Sequence, residues 1–209
     1  MQSGQQEIRS YLVRRGRTGP TSREALVRLW PVYGLEQLGA YLPQVVEIGF
    51  GMGEATAAMA AADPRRLLAI DVHPAGVMAL LRRLEESRLT NVRVHEGDAV
   101  PLLAQLPDGC LEEVRLFFPD PWPKPKHAKR RLVRPTFVAL LERVLAPGGF
   151  AHLATDRPEY EAHAREAFAG WTVTEDRRGR PETGYERRAH RDGHVAVDLV
   201  LTPGAGSRG

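Results

Sequence analysis

The sequence places acidic side chains where three successive strands are predicted to end. Glu47 lies in a glycine-rich turn after the first strand, Asp71 ends the second strand, and Asp98 follows the third. At such positions a carboxylate can bind both hydroxyl groups of a ribose, and a short acid can accept from an adenine amino group. A carboxylate inside the turn would repel a pyrophosphate. Together the three acids indicate a ligand with an adenosyl group and a positive centre, which fits S-adenosylmethionine.

The turn that contains Glu47 joins the first buried strand to the helix that follows it. Gly49 and Gly51 permit a sharp bend and a close approach of ligand to backbone, so we expect both to contact the cofactor. Such turns bind many nucleotides, but this one lacks the Lys-Ser/Thr ending of a triphosphate-binding loop. Each acid also has a structural alternative: Asp98 and Asp71 could be helix caps, and Glu47 could pair with an arginine.

A second candidate loop follows the apolar run at residues 114–118. From 119 to 125 every second residue is a proline, which favours a stiff, non-helical loop at a strand end. The loop contains Asp120 and Trp122, and open α/β sheets place ligand loops at this kind of position. Trp122 could stack on a base, as aromatic residues do for splayed RNA, or could anchor the loop. A rigid surface turn is the alternative for the loop as a whole.

Basic residues are unevenly distributed, although the net charge is only +3. No acid occurs between Glu7 and Glu24, where arginines accumulate, and further basic clusters span residues 124–134 and 177–191. A charge run is usually a solvated face. Three clusters beside a ligand loop favour a polyanionic partner, because each phosphate contact releases counterions. We expect nucleic acid rather than a membrane, since no amphipathic basic helix accompanies the clusters.

Length and composition indicate one globular α/β domain. The chain has 209 residues, of which 43% are hydrophobic and 26% are charged. No apolar run approaches the roughly 18 residues that a membrane span needs, and the first residues lack the apolar core of a secretory signal. One cysteine, Cys110, permits no internal disulfide and suits a reducing compartment. We therefore expect a cytoplasmic protein.

Strands and helices alternate along the chain, which predicts a mostly parallel sheet with helices on both faces. Strands are predicted at 45–48, 67–70, 92–95, 111–118 and 150–154, with an antiparallel strand near the sheet edge at 194–201. Helices are predicted from Ser22 to about Pro31 and at 54–62, 76–88, 136–145 and 158–169, with the Pro-Gly-Gly at 147–149 as the stop after the helix at 136–145. We expect a flexible basic arm at 1–22, one domain at 23–203 and a flexible tail at 204–209.

Several stretches resemble the bacterial tRNA (guanine-N7)-methyltransferases. They are Val-Glu-Ile-Gly-Phe-Gly-Met-Gly at 46–53, Phe-Pro-Asp-Pro-Trp at 118–122, His-Ala-Lys-Arg-Arg at 127–131, Thr-Asp at 155–156 and Glu-Thr-Gly-Tyr-Glu at 182–186. The glycine turn is generic to methyltransferases, whereas Phe-Pro-Asp-Pro-Trp followed by a basic run is highly specific. The resemblance implies a Rossmann-like class I methyltransferase with a seven-stranded sheet. It also implies methyl transfer from S-adenosylmethionine to N7 of a guanosine in the tRNA variable loop, at tRNA position 46.

The resemblance further implies roles for individual residues. The cofactor-contacting acids of the family match Glu47, Asp71, Asp98 and Asp120. Its substrate-binding positions match Lys124, Asp156, Thr183, Gly184, Tyr185 and Glu186. Its proposed RNA-contacting segment matches residues 126–131, with the polar members Lys126, His127, Lys129, Arg130 and Arg131. The implied partner is tRNA, we expect no metal, and both a monomer and a homodimer remain open.

The chemistry of guanine N7 makes modest demands on a protein. N7 has an in-plane lone pair and no proton, so methyl transfer needs orientation and tolerance of a cationic product ring rather than a general base. Asp120 is the candidate for electrostatic stabilisation of that charge, and Asp156 or Glu186 could accept from the guanine N1 and amino groups. Two alternatives stay open: a methyltransferase of another RNA base or of a protein, and a non-catalytic RNA-binding protein of the same fold.

Overall fold

The computed structural model of the protein describes residues 20–39 and 41–204. Most of the predicted basic arm, residues 1–19, and most of the predicted tail, residues 205–209, lie outside these described residues. None of the described helices combines the length and the apolar character that crossing a bilayer would require. The division of the chain into arm, domain and tail therefore stays a prediction.

The described chain contains one seven-stranded sheet. Its strands are β1 Val45–Ile48, β2 Leu67–Asp71, β3 Val92–Glu96, β4 Leu111–Phe117, β5 Leu145–Thr155, β6 Thr172–Glu175 and β7 Val197–Thr202. The strand order is β3-β2-β1-β4-β5-β7-β6. Neighbours from β3 to β5 are parallel, whereas β7 pairs antiparallel with both β5 and β6. The predicted mostly parallel, Rossmann-like sheet is thus confirmed.

Helices alternate with the strands and cover the sheet. They are α1 Pro20–Tyr33, α2 Glu54–Ala62, α3 Pro74–Glu86, α4 Ala99–Leu103, α5 Pro135–Val144, α6 Pro158–Ala167 and α7 Gly184–Arg191, with a 3-10 helix at Pro125–Arg130. One buried cluster joins α1, α2 and α3 to the sheet, and a second joins α4, α5 and α6 to it. On α3 the residues Val77, Leu80, Leu81 and Leu84 are all fully buried, as their helical spacing predicts.

The parallel register aligns the carboxyl ends of four strands at one edge of the sheet. Ile48 at the end of β1 pairs with Ile70 on β2 and Leu116 on β4, and Asp71 on β2 pairs with Glu96 on β3. The connections that leave these ends therefore lie side by side. The two candidate loops of the sequence, after β1 and after β4, both start at this edge, where open α/β sheets bind ligands.

Some predicted boundaries are wrong for identifiable reasons. The first helix begins before Ser22 and continues past Pro31 to Tyr33, because a proline in the last turn removes only one amide donor. The Pro-Gly-Gly at 147–149 lies inside β5, which already begins at Leu145. A register irregularity between Leu111 and Glu113 on β4 accommodates it.

The predicted antiparallel strand near the sheet edge is confirmed as β7. The edge strand itself, β6, was not predicted. Three of the four residues of β6 are exposed, so it lacks the apolar alternation by which strands are found in a sequence. The short helices α4 and α7 were also missed, and the proline-rich loop ends in a 3-10 helix rather than staying non-helical throughout.

Candidate active site

The turn after β1 is bent by left-handed glycines. Gly49 has φ +76° and Gly51 has φ +57°, a region that residues with a Cβ rarely adopt. A Cβ built on either glycine would meet no other atom within 4 Å, because both face the cleft at the sheet edge. The third glycine of interest, Gly76 at the start of α3, leaves only 2.2 Å between an added Cβ and the Gly51 carbonyl oxygen. The turn is therefore tightly packed on the side that faces α3 and open on the side that faces the cleft.

A cleft opens at the carboxyl ends of β1 to β4. It brings together five of the six predicted cofactor residues, namely Gly49, Gly51, Asp71, Asp98 and Asp120. Its apolar walls come from Ile48, Ile70, Val72, Phe117 and Leu132. A mostly apolar cleft with a few convergent polar groups is the usual form of a small-molecule site.

Asp71 is buried in the wall of this cleft and braces the glycine turn. Its Oδ2 accepts from the Gly51 amide at 2.9 Å, and its Oδ1 accepts from the His73 amide at 2.9 Å. Burial raises the pKa of Asp71 above its ordinary value, although these amide bonds act in the opposite direction. Asp71 thus has a structural role and a ligand-facing position at once.

Asp98 also combines two roles. It is the N-cap of α4, and its Oδ1 accepts from the Val100 amide at 3.0 Å. The capping alternative is therefore realised in the structure. Asp98 nonetheless lines the cleft and is only half-buried, so its second oxygen can face a ligand.

Glu47 differs from the other predicted cofactor acids because it does not line the cleft. Its side chain is 2% exposed and accepts from the Thr56 hydroxyl at 2.8 Å through Oε1, while Oε2 has no hydrogen-bond partner among the described residues. Burial raises the pKa of Glu47 to about 7 against the opposing charge of Arg115. Glu47 therefore lies behind the turn as a buried acid, and one of its oxygens lacks a hydrogen-bond partner in the described part of the chain.

The loop after β4 is bent at residues that are not glycine. Phe118 has φ +53° and Trp122 has φ +42°, and non-glycine residues held in this region cost about 1–3 kcal/mol each. Trp122 is buried, with the Arg130 guanidinium 4.0 Å from its ring centroid and the His127 ring packed edge-on at 5.7 Å. These contacts favour the loop-anchoring role of Trp122 over base stacking. Asp120 lies between the two bends, exposed at the mouth of the cleft.

The predicted RNA-contacting residues fall into two groups. Lys126 and Lys129 are exposed, as is Lys124 just before them. Arg130 stacks on Trp122, and Arg131 donates from Nε to the Pro121 carbonyl at 2.9 Å. The lysines are therefore available to a partner, whereas the two arginines also hold the loop in shape.

The predicted substrate motif at 183–186 forms the start of α7. Thr183 is the N-cap, and its hydroxyl and the Glu186 carboxylate form a capping box with the opposing backbone amides. The Gly184 amide donates to Glu54 Oε2 at 2.9 Å, and the Tyr185 hydroxyl donates to Asp156 Oδ2 at 3.2 Å. The motif is thereby fixed against the strand ends.

Glu186 itself is inaccessible to a substrate. It is 0% exposed, and its Oε1 accepts from Arg180 Nη2 at 2.9 Å. Asp156 is also buried, yet it sits directly after β5 and contacts the half-exposed Tyr185. Of the two acids considered for guanine, the geometry favours Asp156 and assigns Glu186 to the helix cap.

Residues 42–199 match the family model described as "Putative methyltransferase". The tRNA (guanine-N(7)-)-methyltransferase of Alcanivorax borkumensis is 43% identical in an alignment that covers 93% of this chain and 91% of that protein. The protein of the same name from Alkalilimnicola ehrlichii is 44% identical and is covered to 93%, with 94% of this chain aligned. The chain belongs to the tRNA (guanine-N7)-methyltransferase family.

Among solved structures, the precorrin-6y C5,15-methyltransferase of Geobacter metallireducens has a similar fold. It superimposes with a TM-score of 0.54 at 15% sequence identity, over 88% of this chain and 86% of that one. At this identity the similarity concerns the fold alone. It agrees with the seven-stranded sheet of a Rossmann-like methyltransferase.

Arg180 is a residue of this tRNA (guanine-N7)-methyltransferase family member whose role was not predicted from the sequence. Its side chain is fully buried and donates to Glu186 on α7 and to both oxygens of Asp198 on β7, at 2.7 and 2.8 Å. The guanidinium also lies 5.4 Å from the Phe117 ring centroid and 5.1 Å from that of Phe118. Arg180 therefore links α7 to the loop after β4. No local pattern signals it, because its partners are distant in the sequence.

Sequence reasoning also assigned no role to His73. Its ring lines the cleft next to Asp71, and its Nδ1 is buried without a hydrogen-bond partner among the described residues. Its position two residues after the strand-ending acid is the only sequence signal that could have drawn attention to it. A ring nitrogen at this place can accept from or donate to a bound ligand.

Proposed function

We propose that this protein transfers the methyl group of S-adenosylmethionine to N7 of a guanosine in the tRNA variable loop, at tRNA position 46. The family and the names of its relatives support the reaction and the tRNA substrate. A tRNA substrate is also consistent with the cytoplasmic location that the composition favours. The observation that carries the proposal is the joining of two loops at one cleft: the glycine turn with its acids, and the loop that presents Asp120.

The residues of the cleft fit S-adenosylmethionine. The open space in front of Gly49 and Gly51 admits a ligand against the backbone, and Asp71 and Asp98 offer carboxylate oxygens to ribose and adenine. The acids that line the cleft, Asp71, Asp98 and Asp120, favour a ligand with positive charge. When bound, S-adenosylmethionine supplies a methyl group activated by a sulfonium centre.

The acceptor side requires charge stabilisation and orientation. Methylated guanine carries a positive charge on its imidazole ring, and Asp120 at the mouth of the cleft can stabilise that charge as it develops. The flanking bends at Phe118 and Trp122 hold Asp120 in place. Asp156, together with the Tyr185 hydroxyl bonded to it, can accept from the N1 and amino groups of guanine. Adenine lacks this donor pattern, so these contacts would select guanine.

The decisive experiment is nucleoside analysis. An unmodified tRNA transcript is incubated with the protein and S-adenosylmethionine, digested, and analysed by mass spectrometry against a transcript with adenosine at the variable-loop position. We expect one 7-methylguanosine per tRNA that has guanosine at the variable-loop position, and none in the transcript with adenosine there. A different methylated nucleoside would indicate another RNA methyltransferase. Binding of cofactor and tRNA without any methylation would indicate a non-catalytic RNA-binding protein.

A further inference from the structure

Helix α7 is fixed beside the cleft by contacts to the segments that follow β1, β4 and β5. Its first amide, Gly184 N, donates to Glu54 just after the glycine turn at 2.9 Å. The Tyr185 hydroxyl reaches Asp156 after β5, and its ring lies 4.9 Å from the Phe118 ring after β4. The capping box at its start and the buried Arg180 beneath it make this position rigid.

The opposite face of α7 is strongly basic. Arg187, Arg188 and Arg191 are all exposed. At about 100° per residue they lie roughly 100°, 200° and 140° around the helix from the buried Glu186. The three side chains therefore point to the same side, away from the protein, and form a surface that we call the α7 basic face.

The charges of this face are largely uncompensated. The acid within α7, Glu186, is buried and neutralised by Arg180. Arg187 pairs with Glu54 at 3.2 Å, but both side chains are about half exposed, and such surface pairs contribute about 0–1 kcal/mol. Arg188 and Arg191 form no salt bridge with any residue in the described ranges. Of the nearby acids, Glu182 pairs with His190 instead, and Asp192 forms no salt bridge within those ranges.

We propose that the α7 basic face binds backbone phosphates of the RNA whose guanosine enters the cleft. This inference rests on the proposed function and adds a contact surface on an element separate from the basic segment at 124–131. Arginine suits phosphate oxygens because its planar guanidinium donates two parallel hydrogen bonds. A membrane surface fits less well, since Tyr185 is the one large apolar residue that α7 exposes, and interfacial helices need an apolar face.

The test uses the full-length double variant Arg188→Gln/Arg191→Gln. Its tRNA affinity is measured by fluorescence anisotropy across a salt series, with cofactor affinity and single-turnover methylation measured in parallel. We expect the slope of log affinity against log salt to fall by about two units, one per lost phosphate contact. Cofactor affinity and the methylation rate at saturating tRNA should stay within about twofold, because the face touches RNA away from the reacting atoms.

A matched control carries the same change in charge at the other edge of the sheet. Arg66 precedes β2 and Arg88 lies between α3 and β3, and both are exposed at the amino ends of the strands. The variant Arg66→Gln/Arg88→Gln should keep the wild-type salt slope to within a few tenths of a unit. This control separates a local contact from the effect of net charge.

The inference is overturned if the α7 variant keeps the wild-type slope, or if the control variant loses as much. Anisotropy measures binding alone, so neither result depends on methylation. A wild-type protein that binds tRNA with an α7-dependent slope but forms no 7-methylguanosine would refute the proposed function and leave the surface standing. Loss of binding to anionic lipid vesicles in the α7 variant, with tRNA binding unchanged, would refute the RNA assignment in favour of a membrane.

Discussion

The two loops that meet at the cleft achieve the same kind of bend by different means. The turn after β1 places glycine at each left-handed position, with φ values of +76° at Gly49, +57° at Gly51 and +72° at Gly53. The loop after β4 places Phe118 and Trp122 there instead. Non-glycine residues held in the left-handed conformation cost about 1–3 kcal/mol each, so the second loop needs support that the first does not.

That support is visible in the structure. Trp122 is buried beneath Arg130, the Phe118 amide donates to the Ala154 carbonyl at 2.8 Å, and Arg180 lies against the Phe118 ring. The glycine turn has open space in front of it, which a cofactor can fill. The first loop is thus built to accept a ligand, and the second is built to hold one carboxylate, Asp120, in a fixed place.

The largest effect that we expect concerns Asp120. Replacing it with asparagine keeps the size and removes the negative charge, so stabilisation of the cationic ring is lost. The single-turnover methylation rate should fall by about tenfold to a thousandfold, while the affinity for tRNA changes little. Single-turnover kinetics with both substrates in excess of their dissociation constants report this step. A normal rate with weaker cofactor binding would make Asp120 a binding residue only.

Trp122 tests whether packing holds the strained loop. Truncation to alanine removes the surface on which Arg130 stacks, and we expect a loss of about 3 kcal/mol in unfolding free energy, the lower end for a buried tryptophan. Met52, the exposed apolar residue of the glycine turn, provides the control, and Met52→Ala should cost less than about 0.5 kcal/mol. Urea denaturation measures both. Equal losses of unfolding free energy in the two variants would contradict the idea that packing supports the loop after β4 more than the glycine turn.

Gly51 tests the accepting loop. An alanine at this position would strain the left-handed backbone, and its Cβ would fill the space in front of the turn where the ligand is proposed to bind. Gly51→Ala should therefore weaken S-adenosylmethionine binding by about tenfold or more. Gly148 has an equally left-handed φ of +80° and equally open space, but lies in β5 near its amino end. Gly148→Ala is therefore a matched control, expected to keep full affinity in calorimetric titration. A parallel loss in both variants would show general strain rather than a lost ligand contact.

Glu47 should give the effect that depends most on pH. Its folded pKa of about 7 lies above the ordinary value of 4.5, so the unliganded folded protein binds the proton more tightly than the unfolded chain does. Stability from this group is complete below about pH 4.5 and is lost as the pH rises towards 7, by at most about 1.4 kcal/mol per pH unit. In the Glu47→Gln variant this loss should be absent. Denaturation at several pH values, compared between the two proteins, checks the sign, and parallel pH curves would contradict it.

The sequence predicted the parts of the fold that repeat locally. The apolar spacing on α3 and the apolar runs of the central strands predicted those elements. The acids at the strand ends predicted where the cleft lies. The direction of the Glu47 side chain could also be predicted, because side chains alternate between the two faces of a strand. Val46 and Ile48 pack on the face covered by α4, α5 and α6. Glu47 therefore lies on the other face, together with Val45. That alternation places its carboxylate behind the turn and not in the cleft.

The remaining parts depend on partners that are distant in the sequence. Arg180 reads as one more surface arginine in a basic segment, and only the folded chain shows that Glu186 and Asp198 enclose it. The same network explains why the Glu186 predicted for substrate binding is occupied. Short elements such as β6 and α7 escaped prediction because their residues are mostly polar and exposed, and local propensity is weak over so few residues.

Methyl transfer to N7 can be tested on a single atom of the substrate. A tRNA assembled with 7-deazaguanosine at the variable-loop position has a carbon in place of N7 and keeps the N1 and amino groups that Asp156 is proposed to contact. We predict that this tRNA binds as tightly as the unmodified one and accepts no methyl group, while its guanosine counterpart is methylated once. Methylation of the deaza tRNA to the same extent would contradict transfer to N7.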